Sequence, residues 1–209
     1  MATSIAKENI LRKIRQALRN PVPLPFSETE HGAPIFIKSP EEDLVLFAET
    51  FNKLQGNFSY CTNIEDLKNQ LAQLFIQRAW SSIYCIENPY LQILQELKIQ
   101  TATDLSSCDV SITGCEYLVA RTGTIVMSSA QSSGRTTSVY APIHICIAFT
   151  NQLVYDLKDS LSNLKGKYER FLPSMITFAS GPSRTADIEK TLVTGVHGPK
   201  EVFCFLIES

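Results

Sequence analysis

The sequence predicts an α/β domain built on a mostly parallel sheet, with an antiparallel hairpin element and a helical arm at its N-terminus. Three observations predict this fold: helical patterns alternate with short apolar runs after residue 40, apolar runs dominate the second half, and a tight-turn sequence separates two of them. Strands and helices that alternate at this spacing are typical of βαβ crossovers, which produce parallel sheets covered on both faces. With 209 residues, 44% of them hydrophobic, the chain can bury a substantial core.

Residues 1–40 are predicted to form the arm and residues 41–209 the α/β domain. Residues 4–19 follow an amphipathic helical pattern that Ser4 can cap, and the first twenty residues carry five basic side chains and one acidic side chain. The next twenty residues contain five of the ten prolines, which predicts an extended connector. The helix could dock on a partner or a second copy of the chain, or fold back on its own domain; a cleaved presequence is disfavoured by Glu8.

The domain's elements are assigned from periodicity and from residues that start helices. Asn63 is a helix cap, and Pro89 is well placed in a first helical turn. Helices are predicted at residues 41–54, after Asn63, at 89–97, at 154–165 and in a short stretch after Thr185, and strands at 57–61, 82–87, 110–113, 117–120, 124–128, 143–149, 174–179 and 202–207.

Charge and composition exclude several classes of protein. The formal net charge is −2, which gives no field to gather nucleic acid. No apolar run approaches the roughly 18 residues of a membrane-spanning helix. Charged side chains interrupt the apolar stretches near the start, unlike a secretory signal. We therefore expect a cytoplasmic protein with no membrane span.

The six cysteines are predicted to be reduced core residues. They are scattered without a C-x-x-C pair, whereas zinc and iron–sulfur sites draw on closely spaced cysteines. The three histidines form no H-x-H or H-E-x-x-H motif. We expect no metal ion and no directly bound cofactor.

A tight hairpin is predicted at Thr122-Gly123-Thr124, where the glycine is free to adopt a positive φ between two β-like runs. Glu116 and Arg121 lie close to this turn in the sequence. They could pair with each other, or present a carboxylate and a guanidinium to a ligand. As a hairpin alone, the segment needs no functional explanation.

Arg135 lies at the centre of a second polar segment, the hydroxyl-rich loop of residues 132–138. Hydroxyls, glycine and arginine together supply hydrogen-bond donors that suit phosphate or carboxylate. The simpler interpretation is a solvated loop with a surface arginine.

Residues 181–189 form the strongest candidate for an anion site. They follow an apolar strand, and their opening Gly-Pro pair predicts a turn into a helix. The amides at the start of such a helix would attract an anion at the carboxyl edge of the sheet. Ser183 or Thr185 would cap this helix and Arg184 would reach the ligand, whereas Asp187 in the first turn suits the helix dipole.

His197 is the predicted acid, base or hydrogen-bond donor. It lies in the glycine-flanked segment 195–200, where a turn would leave it exposed. His144 differs because it follows the start of the apolar strand 143–149. A buried histidine bonded to the backbone is favoured there.

Five segments, taken in order, carry a resemblance to a known family: I-T-G-C-E-Y-L-V-A-R-T-G-T (112–124), G-R (134–135), P-I-H-I (142–145), G-P-S-R-T-A-D-I-E (181–189) and G-V-H-G-P (195–199). Together they resemble the LUD-domain family, of the lactate-utilization protein C type, over about residues 40–209. The last two segments are long and close together, which makes the resemblance specific.

The resemblance implies a Rossmann-like α/β fold, akin to the sugar-phosphate isomerase and CoA-transferase-like group. It also implies a role in bacterial oxidation of L-lactate to pyruvate, beside two partner subunits that carry the iron–sulfur clusters. The absence of closely spaced cysteines fits that division of labour.

Position 121 departs from the family. Many relatives carry an acidic residue before Thr-Gly-Thr, where this chain has Arg121. If that carboxylate is a general base in the relatives, this chain has lost it or has reassigned its task to Glu116. If the pocket binds an anion, the arginine would strengthen binding.

The expected function is that of a cytoplasmic subunit of an L-lactate oxidation system. It would hold a small anion, such as lactate, pyruvate or a phosphate-bearing cofactor, at the 181–199 loops, with His197 facing the same hollow. Two alternatives stay open: a non-catalytic scaffold for the iron–sulfur partners, and an isomerase or acyl-CoA-transferase-like enzyme on the same fold. A homo-oligomer is also open. Glu116 and His197 are the candidate catalytic residues, and the candidate ligand-binding residues are Thr122, Gly123, Thr124, Arg135, Ser183, Arg184, Thr185 and Asp187.

Overall fold

The computed structural model describes residues 5–19, 36, 38–188 and 191–209. The chain divides into two compact units, Met1–Lys38 and Ser39–Ser209. In the first unit, helix α1 (Ile5–Ala17) confirms the predicted amphipathic helix and has no buried residue. The proposed cap at Ser4 lies outside the described residues, as do most of the prolines that follow the helix.

The second unit contains the remaining elements, and most of them match the predicted positions. Its helices are α2 (Asp43–Lys53), α3 (Ile64–Arg78), α4 (Asn88–Glu96), α5 (Thr137–Tyr140) and α6 (Leu157–Tyr168). Its strands are β1 (Asn57–Cys61), β2 (Ile83–Tyr84), β3 (Val110–Thr113), β4 (Tyr117–Val119), β5 (Thr124–Ser128), β6 (Ile143–Phe149), β7 (Leu153–Val154), β8 (Ile176–Ala179), β9 (Arg184–Ile188), β10 (Thr191–Thr194) and β11 (Glu201–Ile207).

Two helix starts are explained by capping. The side chain of Asn63 accepts a hydrogen bond from the Asp66 amide, as predicted for the start of α3. The helix expected from residue 154 instead begins at Leu157, because the Asp156 side chain accepts a bond from the Lys158 amide. Leu153 and Val154, which Tyr155 separates from this cap, form the short strand β7.

Five parallel strands form the central sheet, in the order β1-β11-β6-β3-β2. Alternate residues of a strand face opposite sides of a sheet. Ile143, Ile145 and Ile147 of β6 therefore face one side, where they share a hydrophobic cluster with Leu67 and Leu71 of α3. Residues of α4 join the same cluster, so two helices cover this face.

A second sheet covers the opposite face. It has the strand order β7-β4-β5-β8 and contains the predicted antiparallel hairpin, β4–β5. Cys146 and Ala148 of β6 pack in one cluster with Ile125 of this sheet and with Phe47 and Phe51 of α2. The parallel sheet is thus covered on both faces, but on this face mainly by another sheet. On the far side of the second sheet, Leu164 of α6 packs against β4 and β5.

The helix predicted after Thr185 is wrong. Residues Arg184–Ile188 form strand β9, which pairs with β10 in an antiparallel hairpin. The segment Thr191–Thr194 contains two threonines and a valine, residue types that favour strands, and it lies close enough in sequence to pair with β9. The anion site expected at the start of a helix in residues 181–189 therefore has no helix to form it.

Candidate functional site

Two adjoining cavities lie beside the loop of residues 195–200. The inner cavity, of about 270 Å³, extends between the two sheets and is bordered by His144, Ser180 and Ser183. The outer cavity, of about 400 Å³, is bordered by Tyr140 and Lys200. Both have Val139, His197 and Gly198 in their walls, so the two cavities meet at His197.

The cavities lie at the amino edge of the parallel sheet, and not at the carboxyl edge expected from the sequence. Pro142 and Lys200 immediately precede β6 and β11, which run parallel to each other. His144 and Val202 are the second residues of these strands and form direct neighbours across the pair. The expectation failed because it required a helix after residue 183, whereas the chain continues into the β9–β10 hairpin.

Ser183 holds the loop in place. Its amide donates a hydrogen bond to the Pro199 carbonyl, and its own carbonyl accepts one from the Gly195 amide, each at 2.9 Å. A Cβ added at Gly198 would lie 2.9 Å from the Ser183 Cβ, so only glycine allows this approach. Ser183 borders the inner cavity, as a ligand-binding role requires, but its backbone groups are committed to the loop.

Lys200 is a site residue that the sequence reasoning missed. Its amide donates to the Pro142 carbonyl at 2.7 Å, which fixes the backbone beside the outer cavity. Gly195 has a φ of +78°, and an added Cβ would lie 2.1 Å from the Lys200 Cγ, so the lysine stem crosses this glycine. Within the described part of the chain, Lys200 forms no ion pair, and its side chain is exposed. In the sequence, Gly195, five positions before Lys200, was the one sign that the lysine stem lies against the backbone.

His197 is exposed, as predicted from the flanking glycines. Because it lies in the wall common to both cavities, its imidazole can contact a ligand in either one. Tyr140 and Val196 add a partly exposed apolar rim to the outer cavity.

His144 is buried in β6, as predicted, but it bonds to a side chain and not to the backbone. Its Nε2 lies 2.8 Å from the hydroxyl of Thr113 on the neighbouring strand β3. Burial lowers the pKa of His144 to about 4, so the ring is neutral near pH 7. His144 thus gives the inner cavity a neutral polar wall.

The predicted turn at Thr122-Gly123-Thr124 packs against α2. Gly123 has a φ of +54°, as expected for the hairpin, and an added Cβ would lie 2.7 Å from the Phe51 amide nitrogen. The Thr124 hydroxyl bonds to those of Thr122 and Ser180, each at 2.7 Å. Ser180 borders the inner cavity. Among the described residues, the hydroxyl of Ser180 links this turn to the cavity.

The two arginines expected to hold an anion lie elsewhere. The Arg184 guanidinium donates to the carbonyl of Leu54, the residue that ends α2. A Cβ at Gly181 would lie 2.5 Å from the same carbonyl oxygen, so the end of α2 occupies the space of the expected cradle. Arg135 is exposed and donates to Ser174. Neither arginine borders the two cavities.

Thr185 and Asp187 belong to β9, so neither caps nor opens a helix. The backbone of Thr185 pairs with Val193 of β10. The position of the Asp187 side chain lies outside the described structure.

Glu116 is buried, and its carboxylate is fully engaged. It accepts hydrogen bonds from the Ser128 hydroxyl at 2.6 Å, and from Lys167 Nζ and the Tyr168 hydroxyl at 2.7 Å. Burial alone would raise the pKa of Glu116, but these three donors outweigh it and lower that pKa. Glu116 does not pair with Arg121, whose Nε bonds to Asp156. The arrangement is that of an ionised structural carboxylate.

All six cysteines are buried and unpaired, in agreement with the predicted core role. Burial raises the pKa of Cys61 to about 12 and that of Cys85 to about 11. Among the residues that the structure describes, no three His, Cys, Asp or Glu side chains are grouped as metal ligands. None of the described helices combines the length and apolarity needed to cross a bilayer.

Comparison with known proteins identifies the family. The sequence model that describes the LUD domain family matches residues 81–207. This match covers more than half of the 209-residue chain. This chain belongs to the LUD domain family. The matched region includes both histidines of the inner cavity and Lys200.

The LUD domain described here is similar to curated bacterial proteins over about half of its chain. It is 39% identical over 101 residues to lactate utilization protein C of Halalkalibacterium halodurans, which covers 47% of this chain and 44% of the relative. It is 32% identical over 102 residues to an uncharacterized protein of Neisseria meningitidis serogroup B, which covers 49% and 43%. The chain therefore spans less than half the length of these two relatives.

A solved structure supports the fold of this LUD domain. A DUF162 family protein from Deinococcus radiodurans superposes with a TM-score of 0.57, covering 80% of this chain and 99% of that chain. The sequence identity is 19%. The similarity therefore concerns the mixed α/β fold with its mostly parallel central sheet.

Proposed function

We propose that this LUD domain acts in lactate utilization and binds a small 2-hydroxy acid in the two adjoining cavities. The observation that carries the proposal is the wall at which the cavities meet, where His197 lies close in sequence to the exposed cation Lys200. Relatives named lactate utilization protein C support the choice of ligand class.

The charges around the cavities favour a carboxylate. Lys200 has no counter-ion among the described residues, so its ammonium group can attract an anion into the outer cavity. His197 can donate a hydrogen bond to a carboxylate from the wall between the cavities. The hydroxyls of Ser180 and Ser183 add uncharged polar groups to the inner cavity. Among the side chains that the structure describes, no carboxylate borders either cavity to repel the ligand.

Oxidation of lactate to pyruvate removes two electrons and two protons. In the proposed assignment this chain binds the acid, and iron–sulfur clusters on partner subunits, which the family resemblance implies, would take up the two electrons. His197, in the wall common to both cavities, would accept one of the two protons, and the other would pass to solvent.

Calorimetric titration with L-lactate tests the proposal. We expect Lys200→Gln to weaken L-lactate binding about tenfold, because it removes the cation and retains a side chain of similar length. His197→Gln should also weaken binding. Lys165→Gln is the matched control, since Lys165 is an exposed lysine near the end of α6 and borders neither cavity.

Unchanged affinity in both Lys200→Gln and His197→Gln would place the ligand elsewhere. Failure of the parent protein to bind L-lactate at millimolar concentration would reject the ligand class.

One observation favours a second role, the docking of partner subunits through α1. The apolar side chains of this helix are exposed, including Ile10 at 59% and Ile14 at 49%. Its other side chains include several lysines and arginines. An amphipathic helix with an unburied apolar face is suited to a groove on another protein.

Removal of residues 1–40 separates the two roles. If α1 docks partners, the shortened protein should lose co-elution with iron–sulfur subunits and keep its affinity for L-lactate. Retained co-elution would reject the docking role.

A further inference from the structure

A hydrogen bond between two strands links the Thr113 hydroxyl to the ring of His144. The Thr113 hydroxyl donates its single hydrogen to the Gly114 carbonyl at 2.9 Å. With that hydrogen given to the carbonyl, the hydroxyl accepts in its 2.8 Å contact with His144 Nε2, and this arrangement places the ring proton on Nε2. Because the ring is neutral, Nδ1 carries no proton and can only accept a hydrogen bond.

The acceptor Nδ1 has no hydrogen-bond partner within the described part of the chain, where Thr113 is the one side chain bonded to the ring. His144 borders the inner cavity, as do the apolar residues Met127 and Val202. The position that faces Nδ1 is therefore open to a group that a ligand brings.

Ser111 shows that this polar stretch of the sheet is incomplete. It is the direct neighbour of His144 across the β3–β6 pair, and the paired side chains point to the same face. Ser111 is fully buried, and its hydroxyl has no hydrogen-bond partner among the described residues. Buried polar groups are rarely left without partners.

We infer that His144 is a specificity-determining residue that selects ligands carrying a hydroxyl donor, and so distinguishes 2-hydroxy acids from 2-oxo acids. This inference rests on the proposed function and names the chemical group of the ligand that the inner cavity recognises. The hydroxyl of a 2-hydroxy acid donates to Nδ1. The carbonyl of a 2-oxo acid presents lone pairs to the same nitrogen and is disfavoured, because a site built to bond a hydroxyl discriminates against an analogue that lacks it.

Comparison of three acids of similar size gives the direct test. We expect the parent protein to bind L-lactate at least tenfold more tightly than pyruvate. Propionate, which has the carboxylate but no 2-oxygen, should also bind more weakly than L-lactate. Equal affinity for L-lactate and pyruvate would overturn the inference.

The variant Thr113→Val tests the role of the tautomer. Valine has the shape of threonine but accepts no hydrogen bond from Nε2, so the ring proton is no longer held there. We expect the preference for L-lactate over pyruvate to fall below threefold. Thr194→Val is the matched control, because Thr194 is exposed and borders neither cavity, and it should keep the preference.

A ligand-free measurement tests the premise. Two-bond ¹H–¹⁵N correlation spectra of the imidazole distinguish the two neutral tautomers, and we expect His144 to be protonated on Nε2 in the parent protein. Protonation on Nδ1 would overturn the inference even if L-lactate binds.

The titrations also separate this inference from the proposed function. If L-lactate and pyruvate bind with equal affinity, and both depend on Lys200, the selection by His144 is rejected but the proposed function is kept. Absence of binding by any of the acids would reject both.

Discussion

Arg121 and Asp156 join the turn after β4 to the start of α6. Arg121 Nε donates to Asp156 Oδ2 at 2.5 Å, and each side chain is about a quarter exposed, at 23% and 24%. Asp156 also accepts from the Lys158 amide as the cap of α6. The arginine at the position where many relatives are expected to carry an acidic residue therefore has a structural partner. It is directed to a helix cap and does not border the candidate cavities.

Arg121→Ala should lower the free energy of unfolding by about 1 kcal/mol, because it removes a partly buried ion pair. The hydrogen bond from Arg121 is the main cause that lowers the pKa of Asp156 in the folded protein. That stabilisation is present above the unfolded pKa of about 3.9 and is lost as the pH falls through the folded value. Urea unfolding between pH 6 and pH 3 measures the loss of stability and its dependence on pH. Arg170→Ala, a substitution of an exposed arginine, is the control. A variant as pH-sensitive as the parent would contradict the pairing.

Glu116→Gln should destabilise the fold by about 1–3 kcal/mol, because an amide cannot satisfy Lys167, Ser128 and Tyr168 together. The pKa of Glu116 is lowered in the folded state, so its contribution is complete above the unfolded pKa of about 4.3 and is lost in more acidic solution. Chemical denaturation at pH 7 and pH 4 should show a smaller difference between parent and variant at pH 4.

The exposed carboxylate Glu41 supplies the control through Glu41→Gln, which should leave stability unchanged. A Glu116→Gln protein of parental stability that no longer binds L-lactate would instead restore the catalytic role considered for Glu116.

Gly123→Ala should cost about 2–4 kcal/mol, because alanine is strained at a φ of +54° and its Cβ would lie 2.7 Å from the Phe51 amide nitrogen of α2. Gly134→Ala provides a matched comparison: Gly134 has a φ of +67°, but nothing lies within 4 Å of an added Cβ. It should cost about 1–2 kcal/mol, the backbone strain alone. Thermal unfolding of both variants measures the difference, and equal losses would show that α2 does not constrain the turn.

His144 should make the protein less stable in mild acid. Its pKa is about 4 in the folded protein, because burial disfavours the charged ring, and about 6.5 in the unfolded chain. Between these values the unfolded state binds a proton that the folded state does not, so stability falls as the pH decreases from about 6.5 to about 4, by about 3 kcal/mol in all.

Denaturation curves across this pH range should be flatter for His144→Gln than for the parent protein. Identical pH slopes for the two proteins would indicate that the ring is not held neutral.

Local residue patterns were sufficient to predict most elements of the domain. The β-branched and apolar run of β6 and the Asn63 cap are signals that tertiary contacts reinforce. The hairpin at Gly123 was predictable for the same reason, since its positive φ requires a particular residue type.

The segment Arg184–Ile188 was harder because the Gly-Pro pair that precedes it and the acidic Asp187 within it also suit the start of a helix. What decides its structure is the partner strand β10, and pairing between strands is not visible in a local pattern.

The candidate site could be predicted only in part. His197 was identified from its flanking glycines, whereas Lys200 and His144 gain their significance from neighbours in three dimensions. The edge of the sheet at which the loops lie depends on strand order, and the position of β11 between β1 and β6 cannot be read from sequence spacing. Arg184 was misplaced for a related reason: its partner, the Leu54 carbonyl, lies 130 positions away.

The place of β11 in the central sheet also has a consequence for protein synthesis. β1 pairs with β11 alone within this sheet, although β1 leaves the ribosome long before residues 201–207 have been translated. The nascent chain must therefore carry β1 and one side of β6 as open edges until the late strand inserts between them. Such unpaired edges are prone to aggregation during synthesis. A trigger-factor-like chaperone that shields them over this interval would be expected to raise the yield of folded protein.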